Sequence, residues 1–363
     1  MEPQLKNVMR ERWPARELES PGRCPVCGTE RRTLVHPGLE DGLFHCSEDR
    51  WDVHACTACG THYLDPRPTE ESIGRAYASY LTHAAPDDPR GRSPAASARG
   101  RAARVLRALA NGYRNARFGT RLEPQLPVGR YVVPCIPLLR DALVQQLRSL
   151  PLLPAGAQAR LLDVGCGSGD FLQLARSAGW SVHGIDFDGV AVANARERGL
   201  EVRQGGLELL QATEAESFAW VTLSHVLEHV HDPVSWLQAL HRLVRPGGTL
   251  WLQTPNIASL GHARYGAHWR GLEPPRHLTL WTLPTLRKAL EQAGFRSVQA
   301  LRTPVLTAME VYASSEALRR GIDYAGFMAL PRKQQRPLGA LWPALRQHRS
   351  LARAEFLTVL ARR

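Results

Sequence analysis

The chain has 363 residues, of which 44% are hydrophobic and 22% are charged. This composition is typical of a globular protein and excludes a fully disordered, collagen-like or coiled-coil chain. No run of 18 uncharged apolar residues is present, so a membrane-spanning helix is not expected. The first twenty residues have no apolar stretch and no small-residue cleavage site, which favours a cytoplasmic over a secreted protein.

The net charge of +12 is unevenly distributed along the chain. Residues 90–130 contain ten Arg and one Glu, and residues 301–363 contain eleven basic and four acidic residues, whereas residues 155–300 are neutral overall. Nucleic-acid-binding domains usually carry their basic charge on the binding domain itself, so the neutral middle argues against a nucleic-acid partner. Residues 101–117 are predicted to form a basic amphipathic helix, which either packs on the main domain or contacts an anionic membrane surface.

Two Cys-x2-Cys pairs, Cys24 with Cys27 and Cys56 with Cys59, stand near the N-terminus with 28 residues between them. This spacing predicts four thiolates around one structural Zn²⁺. Two disulfides are an alternative, and so is a redox dithiol, although a redox motif needs only one pair. The intervening residues are expected to form a short β ribbon that the metal holds, since so small a module has little core of its own. We place this zinc ribbon at residues 20–67.

Residues 68–150 are predicted to be a helical and flexible linker. A helix is expected from Thr69 to Tyr80, because two prolines and an N-cap residue precede it. Residues 84–103 are rich in Pro, Ala, Arg and Ser, which is typical of a flexible connection. A further helix over 136–153 is expected to lead into the main domain.

From Arg160 the sequence reads as a strand, a glycine-rich turn, a helix and a second strand that ends at Asp186. This is the order of a nucleotide-binding βαβ unit, in which the glycines let a ligand approach the backbone and the acid binds ribose hydroxyls. The turn is GCGSGD at 165–170, so Asp170 stands where a dinucleotide fingerprint has its third Gly. Its carboxylate would repel a pyrophosphate. We therefore predict S-adenosylmethionine, which has a ribose and positive charge but no phosphate, rather than NAD.

Five runs, LLDVGCGSGDFL, VHGIDFD, SFAWVTLSHVLEHVHDP, LVRPGGTLWLQTPN and AGF, follow one another over roughly 160–300. In order and spacing they resemble the class I S-adenosylmethionine-dependent methyltransferases. The resemblance implies an α/β fold over 151–363, with a Rossmann-like seven-stranded sheet, one antiparallel strand, and a helical insertion near 305–350 before a last strand at 355–360. It also implies a set of cofactor-binding residues: Asp163, Gly165, Cys166, Gly167, Gly169, Asp186, Phe187, Leu207, Ser224 and His225. Ala219 departs from the family, which usually has Asp there.

A narrower resemblance covers nearly the whole chain. Its marks are the Cys-Pro-x-Cys-Gly knuckle, the second knuckle, YLDPRP at 63–68, the methyltransferase core, and Trp269 followed by PPRHL at 274–278. Together they resemble bacterial zinc-knuckle methyltransferases encoded with polysaccharide and glycosylated natural-product pathways, whose relatives include deoxysugar C- and O-methyltransferases. The resemblance implies a sugar-containing or other small-molecule acceptor.

An O- or C-acceptor must lose a proton during methyl transfer, and a histidine suits that task near neutral pH. The candidate bases are His277, His229 and His225. His225 and His229 follow the fourth strand, at the edge where parallel sheets place ligands. His277 ranks first, because Arg276 beside it would hold an anionic acceptor such as a sugar diphosphate. Alternatively, His225 lines the methionine pocket, and Glu228 with His229 only holds the cofactor loop.

Two other functions stay open at this point. An rRNA base methyltransferase with a zinc knuckle would explain the Arg-rich flanks, but the neutral core and the Pro-Pro-Arg-His element argue against it. A non-catalytic protein that binds a partner through its ribbon is the other, and the intact Asp163, Gly165, Gly167 and Asp186 argue against that one.

Overall fold

The computed structural model describes residues 12–77, 98–347 and 350–363. The strands of this part of the chain, in order, are β1 Leu18–Glu19, β2 Arg32–Leu39, β3 Trp51–Cys56, β4 His62–Leu64, β5 Arg67–Pro68, β6 Arg160–Val164, β7 Ser181–Asp186, β8 Glu201–Gln204, β9 Phe218–Ser224, β10 Val244–Pro255, β11 Thr279–Leu280, β12 Arg296–Leu301 and β13 Phe356–Arg362.

The helices of the same part are α1 Ala98–Phe118, α2 Gly129–Val132, α3 Pro137–Gln146, α4 Asp170–Ser177, α5 Gly189–Glu197, α6 Leu207–Ala212, α7 Pro233–Leu243, α8 Leu260–Tyr265, α9 Leu283–Gln292, α10 Val305–Arg319, α11 Tyr324–Ala329, α12 Arg332–Gln335 and α13 Leu341–Arg346. Among these helices, none combines the length and the apolar character that a bilayer-crossing segment needs. The helices α10 to α13 occupy the stretch for which a helical insertion is expected.

The described residues form two compact units, each discontinuous in sequence. The first unit holds residues 12–77, 224–241, 252–347 and 350–362, and the second holds 98–223, 242–251 and 363. The glycine-rich turn therefore belongs to the second unit. The cysteine pairs and the candidate histidines belong to the first.

A seven-stranded sheet has the order β12-β13-β10-β9-β6-β7-β8, which confirms the Rossmann-like α/β class. β6 pairs in parallel with β7 and β9, and β12 pairs antiparallel with β13. Val164 is opposite Ile185 on one side and Leu223 on the other. Because parallel strands end at the same edge, this register brings the glycine-rich turn, Asp186 and the end of β9 together.

The zinc-ribbon region forms a second, four-stranded sheet in the order β11-β4-β3-β2. The β2–β3 hairpin between the cysteine pairs confirms the predicted ribbon. The fourth strand, β11, comes from residues far along the chain and places Thr279 opposite Tyr63. The hydrophobic core of this region is shared in the same way, since ribbon side chains pack in one cluster with Trp269, Leu278 and others from 257–311. The ribbon is thus not a self-contained module.

The linker prediction needs two corrections. Instead of a helix from Thr69 to Tyr80, the described residues show only a 3-10 turn, Ile73–Tyr77. Tertiary contacts fix this turn, because Trp13 donates to Ser72 through its indole N–H at 3.1 Å. Residues 98–103, expected to be flexible, begin helix α1, and the rest of that stretch lies outside the described residues.

Candidate active site

The four cysteines of the two knuckles converge on one point. They are free thiols, and their Sγ atoms lie within 4.8 Å of one another. The Cys24–Cys59 and Cys27–Cys56 sulfur pairs are 3.6 and 3.5 Å apart. A tetrahedron with Zn–S bonds of about 2.3 Å has edges of roughly 3.8 Å, whereas a disulfide needs about 2.05 Å. The donor set therefore fits a zinc ion and does not fit the disulfide alternative.

Each knuckle is a tight turn that ends in a glycine. Gly28 and Gly60 have φ of +72° and +82°, and their amides donate to the carbonyls of Cys24 and Cys56 at 2.9 Å. Burial opposes ionisation of Cys56, but the amides of Cys59 and Ala58 lower the pKa of this thiol to about 7. The backbone thus favours the thiolate form that binds metal.

In the second unit, the glycine-rich turn follows β6. The amides of Gly165 and Cys166 both donate to the Ile185 carbonyl, at 2.8 and 3.2 Å. A side chain at Gly169 would collide with a buried leucine, whereas no atom lies within 4 Å of the position that a Cβ on Gly167 would take. Gly169 is therefore needed for close packing against α5 and the residues that follow it, and Gly167 leaves space for a ligand close to the backbone.

Asp186 lies at the end of β7 beside this turn and is 7% exposed. Its Oδ2 accepts a hydrogen bond from the Gly167 amide at 2.7 Å, and its Oδ1 accepts one from the Asp188 amide at 3.0 Å. A carboxylate has about four acceptor positions, so both oxygens can also bind ribose hydroxyls. The adjacent Phe187 is 61% exposed, and Leu207 is half-buried at the start of α6. The residues fit S-adenosylmethionine.

Asp163, the predicted cofactor residue near the end of β6, is paired within the protein. Its side chain is completely buried, where Arg148 pairs with it and the Thr222 hydroxyl donates to its Oδ1 at 2.8 Å. Burial raises the pKa of Asp163 to about 6, although Arg148 opposes the shift. Asp163 thus joins β6 to β9 directly before the glycine-rich turn through Oδ1. Cys166 is also buried, so it offers the ligand its backbone alone.

In the first unit, the chain turns sharply after Ser224, the half-buried last residue of β9. His225 has a φ of +54°, a left-handed conformation that is uncommon for residues other than glycine. Its Nδ1 lies 3.1 Å from Glu228 Oε1, and the Thr254 hydroxyl donates to Glu228 Oε2 at 2.9 Å. Burial favours protonation of Glu228, but the His225 hydrogen bond and the neighbouring imidazoles lower its pKa to about 2. Glu228 is therefore a buried carboxylate anion.

His229 and His277 lie side by side next to Glu228, with ring centroids 4.7 Å apart. His229 Nδ1 donates to the Arg276 carbonyl at 2.9 Å, with the Tyr77 hydroxyl 3.0 Å from the same nitrogen. His277 Nδ1 donates to the Gly271 carbonyl at 2.8 Å. A carbonyl only accepts hydrogen bonds, so both rings carry a proton on Nδ1, and both keep Nε2 as the basic atom.

The three candidate histidines are thus brought together around one carboxylate, but they are unequally accessible. His277 is 6% exposed, and burial lowers its pKa to about 4. His225 and His229 are only partly buried. Accessibility therefore favours His229 over His277 as the residue that meets an acceptor.

Arg276 cannot hold an acceptor, contrary to prediction. It is fully buried, donates to Asp41 Oδ1 at 2.9 Å and to Glu273 Oε1 at 3.1 Å, and bonds the Ala76 carbonyl at 3.1 Å. Its guanidinium carbon is 4.1 Å from the ring centroid of Phe44. Arg276 is thus a structural cation that ties the Pro-Pro-Arg-His loop to the ribbon.

Sequence reasoning missed three contributors to this cluster. Asp41 and Glu273 neutralise Arg276, and Tyr77 contacts His229. Asp41 precedes Arg276, which it contacts, by 235 positions, and neither periodicity nor motif spacing reports a contact over that distance. The one sequence signal near Asp41 was the run Glu40-Asp41-Gly42, and two acids before a glycine are also common in ordinary turns.

The same cluster offers donors for a metal. One ligand atom each of Glu228, His229 and His277 lie within 4.8 Å of one another. Two imidazoles and a carboxylate are ligands that suit several divalent ions. The geometry is therefore compatible with either a proton-transfer role or a cation.

A cavity of about 500 Å³ lies in the first unit, between the end of β2, the loop 267–274 and the end of α10. Trp269 and Leu272 contribute apolar wall, and His45 and His268 contribute imidazoles. Glu273 also lines it, and the Oε2 of Glu273 is 3.9 Å from His277 Nε2. The cavity wall and the histidine cluster thus share a residue.

Comparison with known proteins agrees with this geometry. Residues 134–300 match a family model described as a methyltransferase domain. Similar curated proteins include the ubiquinone biosynthesis O-methyltransferases of Hahella chejuensis, 35% identical over 142 residues, and Xanthomonas oryzae pv. oryzae, 42% identical over 146 residues. Each match covers 34% of this chain and 60% or 61% of the relative, so the chain spans about three fifths of their length.

Among solved structures, a SAM dependent methyltransferase from Archaeoglobus fulgidus is 20% identical and has a TM-score of 0.42, with 62% of this chain and 93% of that chain covered. The family match, the sheet order and the glycine-rich turn next to Asp186 lead to one conclusion. Residues 134–300 of this chain are a methyltransferase domain of the S-adenosylmethionine-dependent kind.

Proposed function

We propose that the chain transfers the methyl group of S-adenosylmethionine to a hydroxyl oxygen of a small-molecule acceptor, and that this acceptor contains a sugar. The observation that carries the proposal is the cluster of His225, Glu228 and His229 directly after strand β9. The relatives named as O-methyltransferases favour oxygen over carbon. The resemblance to zinc-knuckle enzymes of glycan pathways favours a sugar.

The chain's own residues supply a base and keep it oriented. When bound, S-adenosylmethionine supplies the methyl group from its sulfonium, and the sulfur is then the leaving group as a neutral thioether. His229 Nε2 takes the hydroxyl proton, because its Nδ1 proton is held by the Arg276 carbonyl. The buried anion of Glu228 stabilises the imidazolium that results. The proton thus moves from acceptor oxygen to His229 as the new carbon–oxygen bond forms.

His277 then has a supporting role. Its burial keeps it neutral, so it adds no positive charge beside His229 before the reaction. Its Nδ1–H bond to the Gly271 carbonyl fixes the loop that also presents the Arg276 carbonyl to His229. We expect its loss to lower turnover less than loss of His229.

The cavity beside Glu273 is the proposed site for the part of the acceptor that does not react, since His229 does not line it. Its volume of about 500 Å³ falls in the range of small-molecule pockets. His45 and His268, which are exposed, offer hydrogen bonds at the rim of this cavity. Since half of the lining comes from residues 37–50, the zinc ribbon contributes to acceptor binding in this proposal.

The experiment combines the protein and S-adenosylmethionine with three acceptor groups: nucleotide-linked deoxysugars, hydroxylated ubiquinone precursors and a ribosomal RNA fragment. S-adenosylhomocysteine is quantified and the product is identified by mass. We expect methylated sugar. Methylation of the ubiquinone precursors alone would reject the sugar but keep the hydroxyl acceptor, and methylation of RNA alone would overturn the proposal.

Base assignment is tested with His229→Gln, His277→Gln and the control His231→Gln. His231 lies two positions further along, where it bonds the Pro68 carbonyl at 2.9 Å. A positioned base contributes about 10²–10⁴-fold to the rate, so His229→Gln should lose that factor in kcat while cofactor affinity stays within a few-fold. Turnover of His229→Gln equal to that of the control would remove His229 as the base.

A further inference from the structure

Large apolar side chains are exposed at high density on the helical segment before β6. Between residues 105 and 138, eight of them are at least 37% exposed: Val105, Leu106, Leu126, Val128, Tyr131, Val132, Ile136 and Leu138. Exposed apolar residues need no explanation when they are scattered, but a continuous patch marks an interaction surface. We name residues 126–138 the apolar shelf.

The apolar shelf is fixed on helix α1. The Leu126 amide donates to the Ala108 carbonyl at 2.8 Å. Gly112 and Gly129 allow this close approach, since a side chain at either would fall on a backbone carbonyl of the opposite segment. The fully buried Val133 holds the middle of the shelf. Its exposed side chains are therefore presented by a rigid backbone that cannot fold them inward.

We call the exposed apolar side chains of the shelf the apolar stripe. Val128 and Val132 are four residues apart on backbone that is helical over Gly129–Val132, so their side chains lie on one face. Ile136 is exposed directly after the 3-10 turn that continues this helix to Cys135. Tyr131, the most exposed of them at 63%, adds an aromatic ring with a polar tip, the residue type that bilayer interfaces favour.

The charge around the stripe is strongly basic. Residues 100–140 contain eight Arg and one Glu. Among them, Arg104, Arg107 and Arg121 are exposed, and the Arg130 guanidinium lies 4.5 Å from the Tyr131 ring centroid. We propose that this surface docks the chain on an anionic lipid bilayer. The apolar stripe enters the boundary between headgroups and acyl chains, and the guanidinium groups pair with lipid phosphates.

Charge and side-chain type favour this occupant over others. A second copy of the same face would bring two arginine-rich surfaces together, and like charges disfavour that contact. A nucleic acid would satisfy the arginines but would leave the aliphatic stripe against polar phosphates. An anionic bilayer satisfies both sets of groups. The inference is independent of the proposed acceptor.

The test is co-sedimentation of the full chain with vesicles of phosphatidylcholine alone or with about 30% phosphatidylglycerol. We expect binding to the anionic vesicles that weakens with salt and little binding to the neutral ones. Val128→Asp with Ile136→Asp should weaken binding at least about tenfold, since two inserted apolar groups are lost and two negative charges added. Both positions are exposed, at 51% and 43%, so folding should be unaffected.

The matched control is Leu34→Asp, which changes a 51% exposed leucine on the ribbon. It should bind vesicles as the unaltered chain does. Arg104→Glu with Arg107→Glu should reduce both the affinity and its salt dependence. Absence of binding to anionic vesicles at low salt would overturn the proposal, as would equal binding by the shelf variant. Concentration-dependent dimerisation that the shelf variant abolishes would replace the bilayer with a second copy.

Discussion

The ion pair between Asp41 and Arg276 should be among the most important single contacts for stability in the first unit. Both side chains are completely buried, and they meet at 2.9 Å across 235 positions of sequence. Asp41 also accepts hydrogen bonds from the amides of Phe44 and Cys46, at 3.1 and 3.0 Å. The substitution Asp41→Asn keeps the shape but removes the charge and one acceptor oxygen.

The expected loss follows from what is left behind. Removal of one partner of a buried pair typically costs about 3–5 kcal/mol, because the other charge stays buried. Glu273 remains 3.1 Å from the guanidinium and compensates in part, which places Asp41→Asn at the lower end, about 3 kcal/mol. Arg276→Met leaves the buried Asp41 carboxylate without a cation, while Glu273 keeps its pair with Arg270, and should cost about 4–5 kcal/mol. The double variant should cost less than the sum by about 2 kcal/mol or more.

Urea unfolding followed by tryptophan fluorescence is a suitable assay, because Trp51 and Trp269 belong to the same hydrophobic cluster. The control is Glu40→Gln, since the Glu40–Arg50 pair is about two-thirds exposed and such pairs contribute about 0–1 kcal/mol. A loss below about 1 kcal/mol for Asp41→Asn, or strict additivity in the double variant, would refute the reasoning.

Three further predictions concern the cofactor, the metal and pH. Asp186→Ala should weaken S-adenosylmethionine binding by about 2–4 kcal/mol in calorimetry. The control Asp170→Ala changes an 81% exposed side chain and should leave the affinity unchanged. Equal affinities of the two variants for S-adenosylmethionine would exclude a ribose-binding role for Asp186. Elemental analysis should find one zinc per chain, and Cys24→Ser should lose it. Because β11 pairs with β4, this variant should also raise hydrogen exchange over 279–280 as well as in the ribbon. Zinc retained by Cys24→Ser would exclude this ligand set. His36 and His262 share a 2.8 Å contact between their Nε2 atoms, and burial lowers the pKa of both, to about 4 for His262. The unfolded chain takes up those protons below about pH 6.5, so the free energy of unfolding should fall between about pH 6.5 and 4. His262→Asn should make this total fall smaller by about 1–2 kcal/mol.

The parts of the fold that were predictable are those encoded locally. The glycine-rich turn, the strand ending at Asp186 and the two cysteine pairs each depend on residues within a few positions of one another, and the structure has them as expected. The β2–β3 hairpin followed from the cysteine spacing, because two knuckles sharing a metal must bring their strands together.

What could not be predicted depends on contacts between distant segments. Arg276 was expected to hold an anionic acceptor because a guanidinium pairs well with phosphate, yet it is enclosed by acids from two loops. The pairing of Asp163 with Arg148 was also not predicted. In both cases a charged side chain is paired inside the protein. The tertiary fold determines its partner, which local sequence therefore does not reveal.

The location of Arg276 also shows how the ribbon contacts the loop that carries His277. The ribbon's Asp41 holds the Arg276 side chain, the Arg276 carbonyl holds the His229 proton, and His277 follows in the next position. The ribbon strand β4 pairs with the edge strand β11, which begins two residues beyond His277. Because these contacts are backbone pairing and buried charge, they restrict the loop on both sides of the histidine. The ribbon thus positions the loop that carries the candidate histidines, and a zinc ion on the four cysteines would stabilise this arrangement from outside the histidine cluster.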